Sequence, residues 1–160
     1  MTQRPPLIPG VRYGHTNLIA RDWLRLAAWY EELFGCVPVP PERDYAGADL
    51  ERGTAVPDAA LRGVHLRLPG HGEEGPTLEI YTFASTEGEA RPAIDRPGWG
   101  HIAFAVDDVE TARRRVLDSG GAPIGEVVTL TTADGRRVTW CYVADPEDNA
   151  VELQSWAPPE

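Results

Sequence analysis

The sequence predicts an α+β chain in which two βαβββ modules form an open, cup-shaped mixed sheet with helices on the outside. Three observations carry this reading. Residues 14–22 read GHTNLIARD and residues 100–108 read GHIAFAVDD, so the chain repeats itself with His15 and His101 86 positions apart. The same spacing sets Asp22 against Asp108 and Gly35 against Gly121, and a helical pattern fills the interval in each half. Each half then closes on a strand of alternating character that carries one glutamate: PTLEIYTF with Glu79, and AVELQSW with Glu152.

The elements come in order along the chain. Residues 1–10 read as a loose arm, and the first module is placed at 11–83. Its opening strand puts Tyr13, His15, Asn17 and Ile19 on one face, because strand side chains alternate with period two. Asp22 is positioned to cap a helix whose stripe is Trp23, Leu26, Ala27, Tyr30, Leu33 and Phe34, and Gly35 stands at its C-terminal stop. Residues 36–61 are rich in Pro, Gly and Ala and fit either one irregular strand or a loop over a pocket. RGVHLRL at 62–68 leads through a Gly-rich turn into PTLEIYTF. The polar stretch 84–98, with its prolines, reads as a linker.

The second module, 99–156, repeats the plan. Trp99, His101, Ala103 and Ala105 share one face of its first strand. Asp108 caps a helix with Val109, Ala112, Val116 and Leu117 on its stripe, ended by Gly120 and Gly121. RVTWCYV leads through the turn ADPEDN, with strong turn chemistry at Asp145-Pro146 and Asn149, into AVELQSW. In the closing strands Leu78, Ile80, Val151 and Leu153 should pack on the helices, and so should Val64, Leu66 and Leu68. Glu79, Tyr81, Glu152 and Gln154 are left on the concave face, with His65, Arg67, Trp140 and Tyr142 as pocket walls. Trp23, Trp29 and Tyr30 read as helix-packing aromatics, and His71 as a solvated loop residue.

Composition narrows the partners. The net charge of −10 repels phosphate backbones, which argues against nucleic acid. No apolar run approaches the roughly 20 residues that span a bilayer, and the N-terminus has no signal-type apolar region, so no membrane role and a cytoplasmic location are expected. The two cysteines, Cys36 and Cys141, lack any C-x-x-C spacing and indicate no disulfide framework; Cys141 reads as core.

His15, Glu79, His101 and Glu152 together make an N₂O₂ donor set suited to one divalent ion, Zn, Ni, Co, Fe or Mn. A lone strand histidine is more often structural than a ligand. The repeat is what raises these four above that expectation, since two modules related by a pseudo-twofold would bring them to a common axis. Such an ion polarises a carbonyl and stabilises an enediolate, with a neighbouring carboxylate as base.

The stretches GHTNLIARDWLRLAAWYEELFG, PTLEIYTF, GWGHIAFAVDDVETARRRVLDSGG and YVADPEDNAVELQSW resemble the vicinal oxygen chelate superfamily, the family of glyoxalases, bleomycin-resistance proteins and extradiol dioxygenases. The resemblance covers about residues 11–156. It implies paired modules around a metal, with His15 and Glu79 as the first-module ligands and His101 and Glu152 as the second. This set is most similar to glyoxalase I; the epimerase pattern has glutamine where Glu79 stands. Asp148 departs from the family's frequent glycine. The resemblance implies a lyase or isomerase that chelates a small substrate through vicinal oxygens, with Glu152 or Glu79 moving a proton. A homodimer is implied, its modules pairing within or between chains. Two rival readings stand beside it. One is an Fe²⁺ dioxygenase, disfavoured because four protein ligands leave few open positions. The other is a non-enzymatic resistance protein holding an aromatic natural product against Trp99, Trp140 and Tyr142. Recognition of a charged substrate group falls to Arg67.

Overall fold

The computed structural model describes residues 7–8, 12–86, 94–95 and 97–158; most of the expected arm and much of the expected linker lie outside the described residues. The order is β1 (His15–Ile19), α1 (Trp23–Phe34), β2 (Val37–Ala46), α2 (Ala48–Thr54), β3 (Ala60–Arg67), β4 (Thr77–Phe83), β5 (Ile102–Ala105), α3 (Val109–Asp118), β6 (Ala122–Pro123), β7 (Val128–Thr131), β8 (Arg137–Ala144) and β9 (Ala150–Ala157). The strands form two mixed sheets. The first runs β1-β4-β3-β2; the second runs β5-β9-β8-β6, with β7 also paired to β8. In each, the strand before the helix lies parallel to the strand that closes the half, β1 beside β4 and β5 beside β9. No helix among the described residues is long and apolar enough to cross a membrane.

Local chemistry sets the helix ends. Asp22 Oδ1 accepts from Arg25 N at 3.1 Å, and Gly35 stops α1 at φ 65°, a left-handed conformation that glycine adopts without strain. Asp108 accepts from the backbone N–H groups of Glu110 and Thr111 at the start of α3. Asp148 also sits at positive φ, 69°, which accounts for glycine being favoured at that point of the turn.

The 36–61 stretch resolves into an edge strand and a short helix. Proline is tolerated on β2 because its outer edge donates to no neighbour. The pairing with β3 shifts register between Val39 and Arg43, so Val39 faces His65 and Arg43 faces Gly63. Residues 122–131, to which the sequence pattern assigned nothing, form two short strands on β8. His101 lies just ahead of β5 rather than on it.

Both halves share one core. Leu26, Tyr30, Leu66, Leu78, Ile80, Val116, Cys141, Val143, Val151 and Leu153 are fully buried in a single cluster, and Cys36 is buried with them. Helix α1 ties the halves together. Trp29 Nε1 donates to Ser119 O at 3.0 Å, Tyr30 OH donates to Asp145 Oδ2 at 3.0 Å, and Phe34 stacks on Phe104 with centroids 4.0 Å apart. Because the helix-side faces of both sheets line this core, the faces carrying the glutamates are turned away from it.

Candidate metal-binding pairs

Strand pairing builds the same diagonal in each half. Asn17 is register partner of Glu79 and Ala103 of Glu152, and a histidine stands two residues before each, His15 and His101. The diagonal brings His15 Nε2 to 3.2 Å from Glu79 Oε2 and His101 Nε2 to 3.0 Å from Glu152 Oε2. Two donors bound to one ion at about 2.1 Å lie roughly 3.0–3.4 Å apart, so both pairs have ligand spacing.

The expected convergence of all four does not occur within one chain. Among the described residues no group of three or more His, Cys, Asp or Glu is arranged to hold a metal. Each His–Glu pair stays on its own sheet, on the face opposite the shared core.

The first pair has neighbours that the second lacks. Glu79, only 8% exposed, is approached by His65 Nε2 at 2.8 Å, Tyr81 OH at 3.2 Å and Asn17 Nδ2 at 3.4 Å as well as by His15. His15 and His65 meet different carboxylate oxygens, their rings 5.9 Å apart. Burial lowers the His65 pKa; Glu79 opposes that shift, while the charges of Arg43 and His15 add to it. A neutral His65 ring with its proton on Nε2 donates toward Glu79 and accepts at Nδ1 from Thr77 Oγ1, 3.2 Å away. Burial, and next the Glu79 charge, push the Tyr81 hydroxyl up to about 12.

Sequence reasoning set His65 on the pocket wall without a partner, yet it is in direct contact with the carboxylate. The missing signal was the β3–β4 register, which pairs His65 with Glu79 across a long turn. Gly63 also went unremarked: a Cβ there would meet Tyr81 Cδ1 at 2.3 Å and Ile80 O at 2.0 Å. Only glycine lets the Tyr81 ring lie over β3 and reach His65 Nε2 at 2.7 Å.

In the second half Tyr142 is register partner of Glu152 and Trp140 of Gln154. Tyr142 contacts the His101 ring (centroids 5.0 Å) and the Trp140 ring (centroids 5.0 Å, edge-on). Burial and then the Glu152 charge raise the Tyr142 pKa. Gln154 accepts from Trp156 Nε1. A cavity of about 450 Å³ lies along β1 and the approach to β5, with Asn17, Trp99, His101 and Ala103 in its lining; Trp99 is 84% exposed. Arg67 lines a separate depression with Gly35, Val37 and Leu68.

Against known proteins, residues 12–153 match the family model of the Glyoxalase/Bleomycin resistance protein/Dioxygenase superfamily. The fold is similar to that of a glyoxalase family protein from Bacillus cereus (TM-score 0.76, 18% identity, 99% of each chain covered). It is also similar to a glyoxylase/bleomycin resistance protein/dioxygenase domain from Frankia sp. EAN1pec (0.59, 19% identity, 94% of this chain and 99% of that one). A third likeness is to the fosfomycin resistance protein FosX from Mesorhizobium loti (0.50, 19% identity, 92% and 91%). No curated protein matches the chain in sequence.

Proposed function

The chain belongs to the Glyoxalase/Bleomycin resistance protein/Dioxygenase superfamily, and we propose that within it this protein is a divalent-metal-dependent lyase or isomerase of glyoxalase type. The observation that carries this reading is the pair of His–Glu contacts at ligand spacing, one on each sheet at equivalent positions. His15, Glu79, His101 and Glu152 are the proposed ligands of one Zn, Ni, Co, Fe or Mn ion. When bound, the ion supplies Lewis-acid polarisation of a small substrate's vicinal oxygens. Because each chain offers two donors per face, a four-donor site takes the first pair of one chain and the second pair of its partner in a homodimer.

The two carboxylates divide the work. Glu79 is held by four polar neighbours and serves as a fixed ligand. Glu152, contacted by His101, is the carboxylate free to take a proton from one substrate carbon and return it to the next. Tyr142, against the His101 ring, and Trp140, edge-on to Tyr142, put an apolar surface beside Glu152 for this transfer. Metal analysis of the purified protein, followed by an isomerisation assay on a methylglyoxal–thiol adduct, tests the reading. A stoichiometric metal and turnover that disappears on chelation are expected; metal-free protein with no turnover on metal addition would sink it.

The same aromatic wall supports a second reading, a resistance-type protein that sequesters a planar aromatic compound without chemistry. Tight binding of such a compound by chelator-treated protein, with no turnover in the loaded form, would favour it.

A further inference from the structure

The repeat sets His65 and Tyr142 in equivalent places. His65 is register partner of Glu79, and Tyr142 is register partner of Glu152. The two side chains behave differently. The Tyr142 ring lies against His101, with centroids 5.0 Å apart. The His65 ring turns to its own glutamate: Nε2 lies 2.8 Å from Glu79 Oε1 and Nδ1 lies 3.2 Å from Thr77 Oγ1, so both ring nitrogens are engaged. Tyr81 OH closes the contact, 3.2 Å from the same Oε1 and 2.7 Å from His65 Nε2. Its ring reaches this spot by lying over Gly63, where a Cβ would come within 2.3 Å of Tyr81 Cδ1. These contacts sort the two oxygens of one carboxylate. Oε1 accepts from His65 and Tyr81, while Oε2 faces His15 Nε2 at 3.2 Å and Asn17 Nδ2 at 3.4 Å. An ionised carboxylate has about four lone-pair sites, two on each oxygen, so Oε1 has none left for an ion.

We propose that His65 is a positioning residue: by holding Oε1 it restricts Glu79 to binding the metal through Oε2 alone. The inference rests on the metal reading above and adds to it which side chain keeps room for the substrate. A carboxylate that is free to turn can bind an ion through one oxygen or through both. One ligand atom from each of His15, Glu79, His101 and Glu152 leaves two positions on an octahedral ion, the number that a pair of vicinal oxygens needs. A second oxygen from Glu79 would fill one of them. His65 touches neither the ion nor the substrate in this scheme; it acts through Glu79, and Tyr81 backs it on the same oxygen.

The test is a titration of cobalt-loaded protein with acetohydroxamate, which chelates through two adjacent oxygens, and separately with azide, which takes one position. The visible absorption of the cobalt follows both. In His65→Ala the acetohydroxamate affinity should fall about tenfold while the azide affinity is unchanged. His65→Gln, whose amide N–H replaces the Nε2 donor, should restore most of the loss. Tyr81→Phe keeps the ring over Gly63 and removes one of the two Oε1 donors, so it should show part of the same loss and reads the hold even where His65→Ala does not fold. A role confined to packing the sheet would weaken both probes alike and would not be rescued by glutamine. Equal acetohydroxamate affinity in the parent and the variants, or a parallel loss of azide, would overturn the inference. Cobalt uptake by the parent reads the metal proposal separately: no uptake removes that reading and this one with it, whereas uptake with acetohydroxamate binding indifferent to His65 removes the role of His65 alone.

Discussion

Glu79 and Glu152 occupy equivalent places in the repeat but live in different surroundings, and their variants should separate accordingly. Glu152→Gln keeps an oxygen ligand but removes the base, so kcat should fall by about 10²–10⁴ with metal content retained. Glu79→Gln leaves His65 and Tyr81 facing a neutral amide, and its first effect should be weaker metal binding, read by competition with a chromogenic chelator. Near-normal turnover in both variants would remove the proton-transfer role. That each half sets a histidine beside its closing glutamate was legible because the repeat points to the pairing twice. The asymmetry was not, since it depends on which residue of β3 lies opposite Glu79, and turn geometry decides that rather than pattern. Asp145 gives a second test of a single side chain. It is buried, and burial raises its pKa from 3.8 against the hydrogen bonds from Asn149, Glu147 and Tyr30. The native state therefore binds this proton more tightly than the unfolded chain. Its contribution to stability is complete below pH 3.8 and is lost as pH rises through the folded value. Asp145→Asn removes that titration. The difference in unfolding free energy between parent and variant should drift in the variant's favour as pH climbs above 3.8, and a pH-independent difference would refute the account.

Among the elements, helices α1 and α3 and the strands β1, β3, β4, β8 and β9 could be read directly, because caps and apolar periodicity agree with the packing they meet. Strand β2 could not. Its sequence, VPVPPERDYA, has the prolines of a loop, and it becomes a strand only through pairing with β3 as an edge, where a missing N–H costs little. Short strands β6 and β7 exist for the same reason, borrowing order from β8. Gly63 is where an element and the site depend on each other. Gly63→Ala forces its methyl group into Ile80 O and the Tyr81 ring, so the β3–β4 pairing and the Tyr81–His65 contact cannot both persist. A loss of about 1–3 kcal/mol in chemical denaturation is expected, together with altered Tyr81 fluorescence or ring resonances. An unchanged midpoint would mean that the sheet has more slack here than its geometry indicates.

The two halves of the molecule form one core and carry their His–Glu pairs on the faces opposite it, and this arrangement bears on how the four proposed ligands could meet. Helix α1 reaches from its own sheet to Asp145, Ser119 and Phe104 of the second half, so the halves cannot swing apart to close a site without breaking buried contacts. In the proposed homodimer a second copy related by a twofold axis would avoid that cost, because the first pair of each chain would then face the second pair of the other and two identical sites would form. Mixing variants distinguishes the arrangements. His15→Ala damages every first pair and His101→Ala every second pair, so each homodimer should be inactive. In a mixed dimer with sites between chains, one site collects both lesions and the other collects none. Random reassortment makes about half the dimers mixed, each with one intact site, so activity should recover to about a quarter of the parent value. A site confined to one chain would show no recovery, because every chain still carries its own lesion however the chains are paired.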